Sequence, residues 1–230
     1  MLRIRERTRI ARRDIINGIK NPNIWLSLSF FQFKNKFRRT TLGPFWITLM
    51  LLIWISALTY VIQYLFNAPV IDTVPHIIVG MVFWTFLMMT LNEGSMSLIE
   101  ASGYLKNLNV SPMAYILQSF MQSLLNLSFN SILLIPAVIM NSYTSGISLN
   151  IFYFFSGLIL LILNALWIQI FLSISCLRFR DIPKIINSFT QIIFFITPVF
   201  WIPSKIKGVL FIDKNPFFHL LEVVRAPSLF

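Results

Sequence analysis

The chain has 230 residues, of which 57% are hydrophobic and 12% are charged, and its mean hydropathy is +0.75. A soluble domain carries about 25% charged residues, so this composition excludes a water-soluble globule. No Asp, Glu, Lys or Arg occurs between Thr41 and Ile71, or between Asn107 and Leu177. Because a membrane-spanning helix needs about 20 apolar residues, the sequence predicts an all-α integral membrane protein.

The net charge of +11 is concentrated near the N-terminus, where eleven of the 19 Lys and Arg residues precede Thr40. An excess of cations beside a first span marks the cytoplasmic side and attracts anionic lipid head groups. We therefore favour a role in membrane topology over nucleic-acid binding. A signal peptide would place an apolar run directly after the basic region, but no such run begins before Asn23.

Residues 24–39 predict an amphipathic helix that lies in the membrane interface. Its apolar face consists of Leu26, Phe30, Phe33 and Phe37. A second face is polar and consists of Ser29, Gln32, Lys36 and Arg39. Packing of this helix on its own bundle is compatible with an interfacial position.

Five apolar segments follow, and we predict that they cross or enter the membrane at about 45–66, 76–91, 112–140, 150–177 and 185–202. Gly43-Pro44 opens the first segment, since proline is tolerated in the first turn of a helix. Thr197-Pro198 and Pro203 interrupt the last segment, which predicts a bent or re-entrant helix. Five crossings from a cytoplasmic N-terminus would leave the C-terminus outside.

The positive-inside rule assigns a side of the membrane to each connection. Segments 92–111 and 178–184 are predicted to be cytoplasmic, whereas 67–75 and 141–149 are predicted to be outside. The resulting division has three parts: a basic cytoplasmic N-terminus with the interfacial helix at 1–40, a transmembrane domain at 41–203, and an extracytoplasmic amphipathic segment at 204–230.

A stripe of amides marks the third apolar segment, where the residues Gln118, Gln122, Asn126 and Asn130 follow one another at i+4 steps. An unpaired amide in lipid costs several kcal/mol, so each of these side chains needs water or protein. They either line a hydrophilic passage or bind neighbouring helices, and both interpretations stay open. Helix binding is the favoured interpretation for Asn164, Gln169, Asn187 and Gln191.

No catalytic or nucleotide-binding motif occurs in the chain. It lacks the G-x-x-x-x-G-K-[ST] phosphate loop and the common hydrolase and metalloprotease motifs. The single cysteine, Cys176, excludes an internal disulfide, and His76 and His219 are distant from each other. We therefore expect no enzyme activity, metal or cofactor in this chain. A membrane-embedded glycosyl- or acyltransferase would need a carboxylate or histidine cluster at a bilayer face, and a non-transporting scaffold is a further alternative.

Four ordered blocks of the chain resemble the permeases of polysaccharide-exporting ABC transporters. Block 33–46, FKNKFRRTTLGPFW, is similar to their RYR-x-S-x-LGP-x-W signature. Block 103–112 resembles the cytoplasmic segment of the O-antigen branch, and blocks 178–183 and 215–227 resemble later parts of the same permeases. The resemblance extends from Trp25 to the end of the chain.

This resemblance implies a half-transporter of the bacterial cytoplasmic (inner) membrane. Two copies pair as a homodimer around a channel, and two separate ABC ATPase subunits use ATP to drive them. The implied cargo is an O-antigen type glycan on a polyprenyl diphosphate lipid; a capsule or teichoic-acid exporter is the alternative within transport. These permeases carry a sixth span after the last block, which we do not find before Phe230.

The resemblance and the predicted topology together assign candidate sites. The place where the lipid-linked cargo enters is assigned to Lys34, Lys36, Arg38, Arg39, Gly43 and Pro44. Coupling to the ATPase is assigned to Glu93, Glu100, Tyr104 and Lys106, and the outer mouth of the channel to Asn215, Pro216 and Arg225. The alternatives are that the cations only set topology and that segment 93–111 is a solvated connector.

Overall fold

The computed structural model describes residues 13–66, 69–105, 110–145, 151–202 and 214–229. Within these ranges the chain is almost entirely helical and contains no strand. In chain order the helices are α1 (13–20), α2 (Pro22–Lys36), α3 (Phe45–Phe66), α4 (Val70–Leu105), α5 (Pro112–Asn130), α6 (Leu134–Ser145), α7 (Ile151–Arg178), α8 (Ile182–Ile196) and α9 (Pro216–Leu229).

Four stretches of the described chain are long and apolar enough to cross a membrane: Phe45–Leu65, Thr73–Gly103, Pro112–Ser142 and Phe152–Arg178. They confirm the all-α membrane class and four of the predicted spans. The fifth apolar helix, α8, has only 15 residues and ends before Thr197-Pro198. The predicted interruption at this position is therefore confirmed.

Helix α4 is much longer than the sequence indicated. We expected a turn at 67–75, a span at 76–91 and a polar segment at 92–111, but a single helix runs from Val70 to Leu105. Glycine in a helix costs only about 1 kcal/mol, and the packing of Gly94 against α7 offsets this cost. Residues 67–68 and 106–109 lie outside the described part of the chain.

The same helix forms the centre of the bundle. Its apolar segment is 72% buried, against 17% for that of α3. It packs against α3, α5, α6, α7, α8 and α9. Its core positions are filled by the fully buried side chains of Ile77, Val79, Val82, Phe83 and Phe86. The remaining spans surround α4 and leave broad apolar faces exposed, as expected of helices in lipid.

The third span changes from α-helix to a tighter helix and back in its middle. A tight 3-10 turn, Ser131–Leu133, separates α5 from α6. Pro136 lies in the first turn of α6, and its nitrogen has no hydrogen to bond the carbonyl four residues earlier. The backbone tightens before this proline instead of continuing as a straight α-helix. Helix α6 extends to Ser145, beyond the predicted end at about residue 140.

The buried face of α2 differs from the predicted one. Ser29 and Phe33 are buried, whereas Phe30 is 51% exposed. The Ser29 hydroxyl donates a hydrogen bond to the Gln118 carbonyl at 3.0 Å, which turns this side of α2 toward α5. The predicted apolar face is therefore divided: Phe33 packs on the bundle together with Ser29, whereas Phe30 does not. Phe30 and Phe31 stay outside, where they suit a lipid interface.

Candidate functional site

A polar cavity of about 480 Å³ lies between α2, α4 and α5. It is lined by Gln32, Glu93, Ser97, Glu100, Ala101, Tyr115, Gln118, Ser119 and Gln122. The sequence analysis assigned these side chains to three separate elements: the interfacial helix, the cytoplasmic segment and the amide stripe of the third span. The continuous helix α4 brings the three sets together, since Glu93, Ser97 and Glu100 recur on one of its faces at helical spacing.

The cavity adjoins the C-terminal part of the apolar segment of α4, which runs from Thr73 to Gly103. This segment has 31 residues, whereas about 20 residues suffice to cross the hydrocarbon core. By length, Glu93 and Glu100 are therefore expected near the end of the crossing. This position explains why carboxylates are tolerated in a helix that is otherwise apolar.

An amide network fixes one wall of the cavity. The side-chain amides of Gln118 and Gln122 both donate hydrogen bonds to Oε1 of Gln32. Together with the bond from Ser29 to the Gln118 carbonyl, they attach α2 to α5. Gln118 and Gln122 thus bind a neighbouring helix while they line the cavity, and their role in lining a transport passage stays a prediction.

Asn126 and Asn130 do not belong to this cavity. The Asn126 amide donates to the Gln122 carbonyl of its own helix at 2.8 Å. Asn130 is buried, and its Oδ1 has no hydrogen-bond partner among the described residues. Both line a separate groove of about 310 Å³ with mostly apolar walls, formed with Ile47, Met50, Leu51, Trp54, Thr85, Phe86, Met89 and Leu127. The predicted stripe of four amides is therefore divided between two sites.

A buried hydrogen-bonded seam joins α4, α5 and α7 behind the cavity. Gln169 donates to the Ser119 hydroxyl at 3.0 Å, and Ser173 donates to the Gly94 carbonyl at 2.7 Å. The hydroxyls of Ser97 and Ser173 are 2.9 Å apart. A Cβ atom at Gly94 would lie 2.6 Å from Cγ of Gln169, so only glycine permits this approach. The predicted helix-binding role of Gln169 is confirmed.

The other amides that we expected to bind helices do not do so in the described chain. Asn164 is half-buried and donates to the Leu160 carbonyl of its own helix. Asn187 and Gln191 are exposed on α8, whose buried residues include Thr190. None of the three contacts another helix of the same copy through a hydrogen bond within the described residues, and helix binding stays a prediction for them.

The four cations of block 33–46, which resembles the polysaccharide exporters, lie at the C-terminal end of α2. Lys34 and Lys36 occupy its last turn, where cations complement the helix dipole, and Arg38 and Arg39 follow directly. All four are exposed, and within the described ranges no carboxylate forms an ion pair with them. Lys36 is close enough to Glu93 to act on it electrostatically. The cations are thus available to an external anion beside the cavity.

A tight connection leads from these cations into the first span. Gly43 has a φ of +58°, a conformation that residues with a Cβ adopt at a cost. Pro44 then precedes the first residue of α3, and the amide of Trp46 donates to the Gly43 carbonyl at 3.2 Å. These two residues shape the turn, whereas the cations before them remain accessible.

The residues assigned to ATPase coupling lie in different surroundings. Glu93 is half-buried at the cavity, and Glu100 is exposed at its rim. Tyr104 belongs to the last turn of α4, while its side chain and the whole of Lys106 lie outside the described residues. The alternative of a solvated connector at 93–111 does not hold for residues 93–105, which are helical, and contact with an ATPase stays a prediction.

A buried arginine organises the opposite end of the bundle. Arg225 of α9 is 1% exposed and donates to the carbonyls of Pro198 and Val199 at 2.8 and 3.3 Å. Glu222 lies 3.7 Å away. Burial lowers the pKa of Arg225 to about 10, and Glu222 opposes this shift, so the side chain is charged at neutral pH.

Asn215 and Pro216 continue this arrangement. The Asn215 side chain donates to the Thr197 hydroxyl at 2.8 Å, and its Oδ1 accepts from the Phe217 amide at 3.0 Å. Pro216 is the first residue of α9, the position where proline is favoured. The residues assigned to an outer mouth thus hold the turn after α8. The sequence did not indicate that Thr197 binds Asn215. The predicted helix interruption at Thr197-Pro198 did mark the position of this contact.

Comparison with known families gives one finding that covers nearly all of the described fold. The model of the family described as ABC-2 type transporter matches residues 25–228. The match runs from the first turn of α2 to the last turn of α9 and includes the cavity, the four cations and the buried arginine. Among curated proteins, none matches the chain.

Proposed function

The chain belongs to the ABC-2 type transporter family, and we propose that its cargo is a polysaccharide carried on a polyprenyl diphosphate lipid. Membership makes it a multi-pass membrane permease subunit of an ABC exporter, which works with an ABC ATPase. The proposal adds an O-antigen type cargo, a second copy of the chain and the bacterial inner membrane.

The observation that carries the proposal is the position of the four cations beside a polar cavity at head-group depth. A lipid-linked glycan presents a diphosphate and sugars at this depth while its chain stays in the hydrocarbon core. Lys34, Lys36, Arg38 and Arg39 are exposed to receive an anion, and each cation near an anionic surface contributes about 1 kcal/mol. The resemblance of block 33–46 to polysaccharide exporters supports the same cargo.

The exposed side of α8 supports a second copy. Lys184, Asn187, Ser188 and Gln191 follow one another at helical spacing and are all exposed. Polar side chains on an apolar helix at membrane depth need water or a protein partner. A homodimer that encloses a hydrated passage along this face satisfies them. The resemblance of block 103–112 favours O-antigen over capsule or teichoic acid.

A transferase was disfavoured partly because the sequence showed no carboxylate cluster at a bilayer face. Because Glu93 and Glu100 line one cavity, this reason alone does not exclude a transferase. The matched family consists of transporters, which makes export the better interpretation of the same cavity.

The test uses the chain with its ATPase in inverted membrane vesicles and measures ATP-driven uptake of lipid-linked glycan. Arg38→Gln with Arg39→Gln removes two cations worth about 2 kcal/mol, which predicts uptake about 10- to 30-fold lower at limiting cargo. Arg178→Gln with Arg180→Gln is the matched control, because these cations are also exposed. Membrane insertion and ATPase association should stay normal. Equal uptake by both variants would contradict the proposal.

A further inference from the structure

We infer that the polar cavity between α2, α4 and α5 is a sugar site, which binds hydroxyl groups of the first sugar on the lipid-linked cargo. The inference rests on the proposed function and adds a recognition site to it. The residues that would contact the sugar are Glu93, Glu100, Tyr115 and Gln122.

The cavity offers hydrogen-bonding groups that the protein leaves unused. Tyr115 is 8% exposed and lines the cavity, and its hydroxyl makes no hydrogen bond to another described residue. The carboxylates of Glu93 and Glu100 likewise accept no hydrogen bond within the described ranges. All three residues line the cavity, so their polar groups are available to a ligand that enters it.

The chemistry of the lining matches a sugar. Ionised carboxylates only accept hydrogen bonds, whereas a phenol and an amide both donate and accept them. A sugar hydroxyl can donate to Glu93 and accept from Tyr115 at the same time. Gln32 holds the amides of Gln118 and Gln122 in place, so that the wall is organised before a ligand arrives.

The size and walls of the cavity fit the same class of ligand. Its volume of about 480 Å³ falls within the range of about 300–1,000 Å³ that is usual for small-molecule sites. The ring of Tyr115 and the methyl group of Ala101 add apolar surface beside the polar groups. A sugar ring has the same division, with hydroxyls at its edge and carbon-bound hydrogens on its faces.

The neighbouring charges set the direction of the cargo. The first sugar is bonded directly to the diphosphate, so its site must adjoin the site of the anion. Lys36 meets this condition because it is within electrostatic range of Glu93. Two carboxylates repel a diphosphate from the cavity itself, whereas the cations of α2 attract it outside. The anion therefore stays on α2 and the sugar turns inward.

The test compares the binding of two probes by the full chain in lipid nanodiscs. One probe is a bare polyprenyl diphosphate, and the other is the same carrier with a single hexose or N-acetylhexosamine. Tyr115→Phe removes only the hydroxyl, and Glu93→Gln removes only the charge. The matched controls are Tyr153→Phe and Asp181→Asn, at exposed positions away from the cavity.

We expect the wild type to prefer a sugar-bearing carrier, and each cavity variant to reduce that preference about fivefold to tenfold. Affinity for the bare carrier should not fall, and the controls should behave as wild type. A preference that survives both cavity variants overturns the sugar site, as does equal binding of the two probes. Failure of both probes to bind the wild type removes the proposed function as well. Loss of ATPase association in Glu93→Gln, with preference unchanged, would assign the cavity to ATPase docking instead.

Discussion

Gly80 of α4 lies against the turn after α8, and this contact predicts the direction in which a substitution at Gly80 changes the stability of the protein. A Cβ atom at this position would lie 2.2 Å from the Val199 carbonyl oxygen and 2.5 Å from Nη2 of Arg225. Contacts of a Cβ below 3.0 Å essentially never occur, so the turn must move by about 1 Å in Gly80→Ala. Such a movement also breaks the hydrogen bond that Arg225 donates to Val199.

The magnitude follows from three terms. Overpacking costs about 1–3 kcal/mol, a lost hydrogen bond from a charged group costs about 1.5–3 kcal/mol, and alanine regains about 1 kcal/mol of helix propensity. Gly80→Ala should therefore destabilise the protein by about 2–5 kcal/mol. The control is Gly103→Ala, where no described atom lies within 4 Å of the added Cβ and a gain of about 0.5–1 kcal/mol is expected.

Thermal unfolding of the detergent-solubilised chain, followed by fluorescence, measures both variants. The apparent unfolding temperature should fall for Gly80→Ala and stay level or rise for Gly103→Ala. The double variant with Arg225→Met should lose less than the sum of the two single losses, because both changes release the same turn. Equal unfolding temperatures for the two glycine variants would refute the close approach at Gly80.

Three further predictions concern the other end of the bundle and the topology. Gln32→Leu should release α2 from α5 and therefore speed tryptic cleavage near residue 36. The control variant Gln191→Leu should not change this cleavage rate, and equal rates for the two variants would argue against the amide network. In a cysteine-free background, Arg180→Cys should be labelled only from the cytoplasm and Val70→Cys only from outside, and the reverse pattern would invert the topology. Lys106→Glu should weaken co-purification with the ATPase, and the chain alone should hydrolyse no ATP. Undiminished co-purification would remove Lys106 from the coupling surface.

Much of the fold was predictable because its signals are local. The first span begins at Phe45, directly after Gly43-Pro44, and the third span begins at Pro112. Charge-free stretches of sufficient length located the four spans, since lipid excludes charged side chains over a fixed thickness. The end of α8 before Thr197-Pro198 was predictable for a similar reason, because proline acts on the residues next to it.

The cavity was not predictable, because its parts are held together over long sequence separations. Gln32 binds amides 86 and 90 residues away, and no local pattern indicates this pairing. The charge of Glu93 and the glycine after it suggested that a helix ends there. Instead, Gly94 packs against Gln169 of α7, and this contact stabilises the continuous helix through both residues. Local propensity was overridden by packing at this position. The misplacement of one helix end then hid the shared face of Glu93, Ser97 and Glu100.

The two ends of the bundle are stabilised by interactions of different strength, and we expect them to open with different ease. At one end the buried charge of Arg225 binds backbone carbonyls, and a Cβ at Gly157 would lie 2.3 Å from the Val223 carbonyl oxygen. Breaking such contacts leaves a buried charge and buried carbonyls without partners, which costs about 3–5 kcal/mol.

At the other end, neutral amides beside an open cavity join Gln32 to α5. Water can replace these bonds at a net cost of about 0.5–1.5 kcal/mol each. Gly80→Ala should accordingly lower the stability of the whole chain, whereas Gln32→Leu should free a single helix at the end where the cavity and the four cations lie.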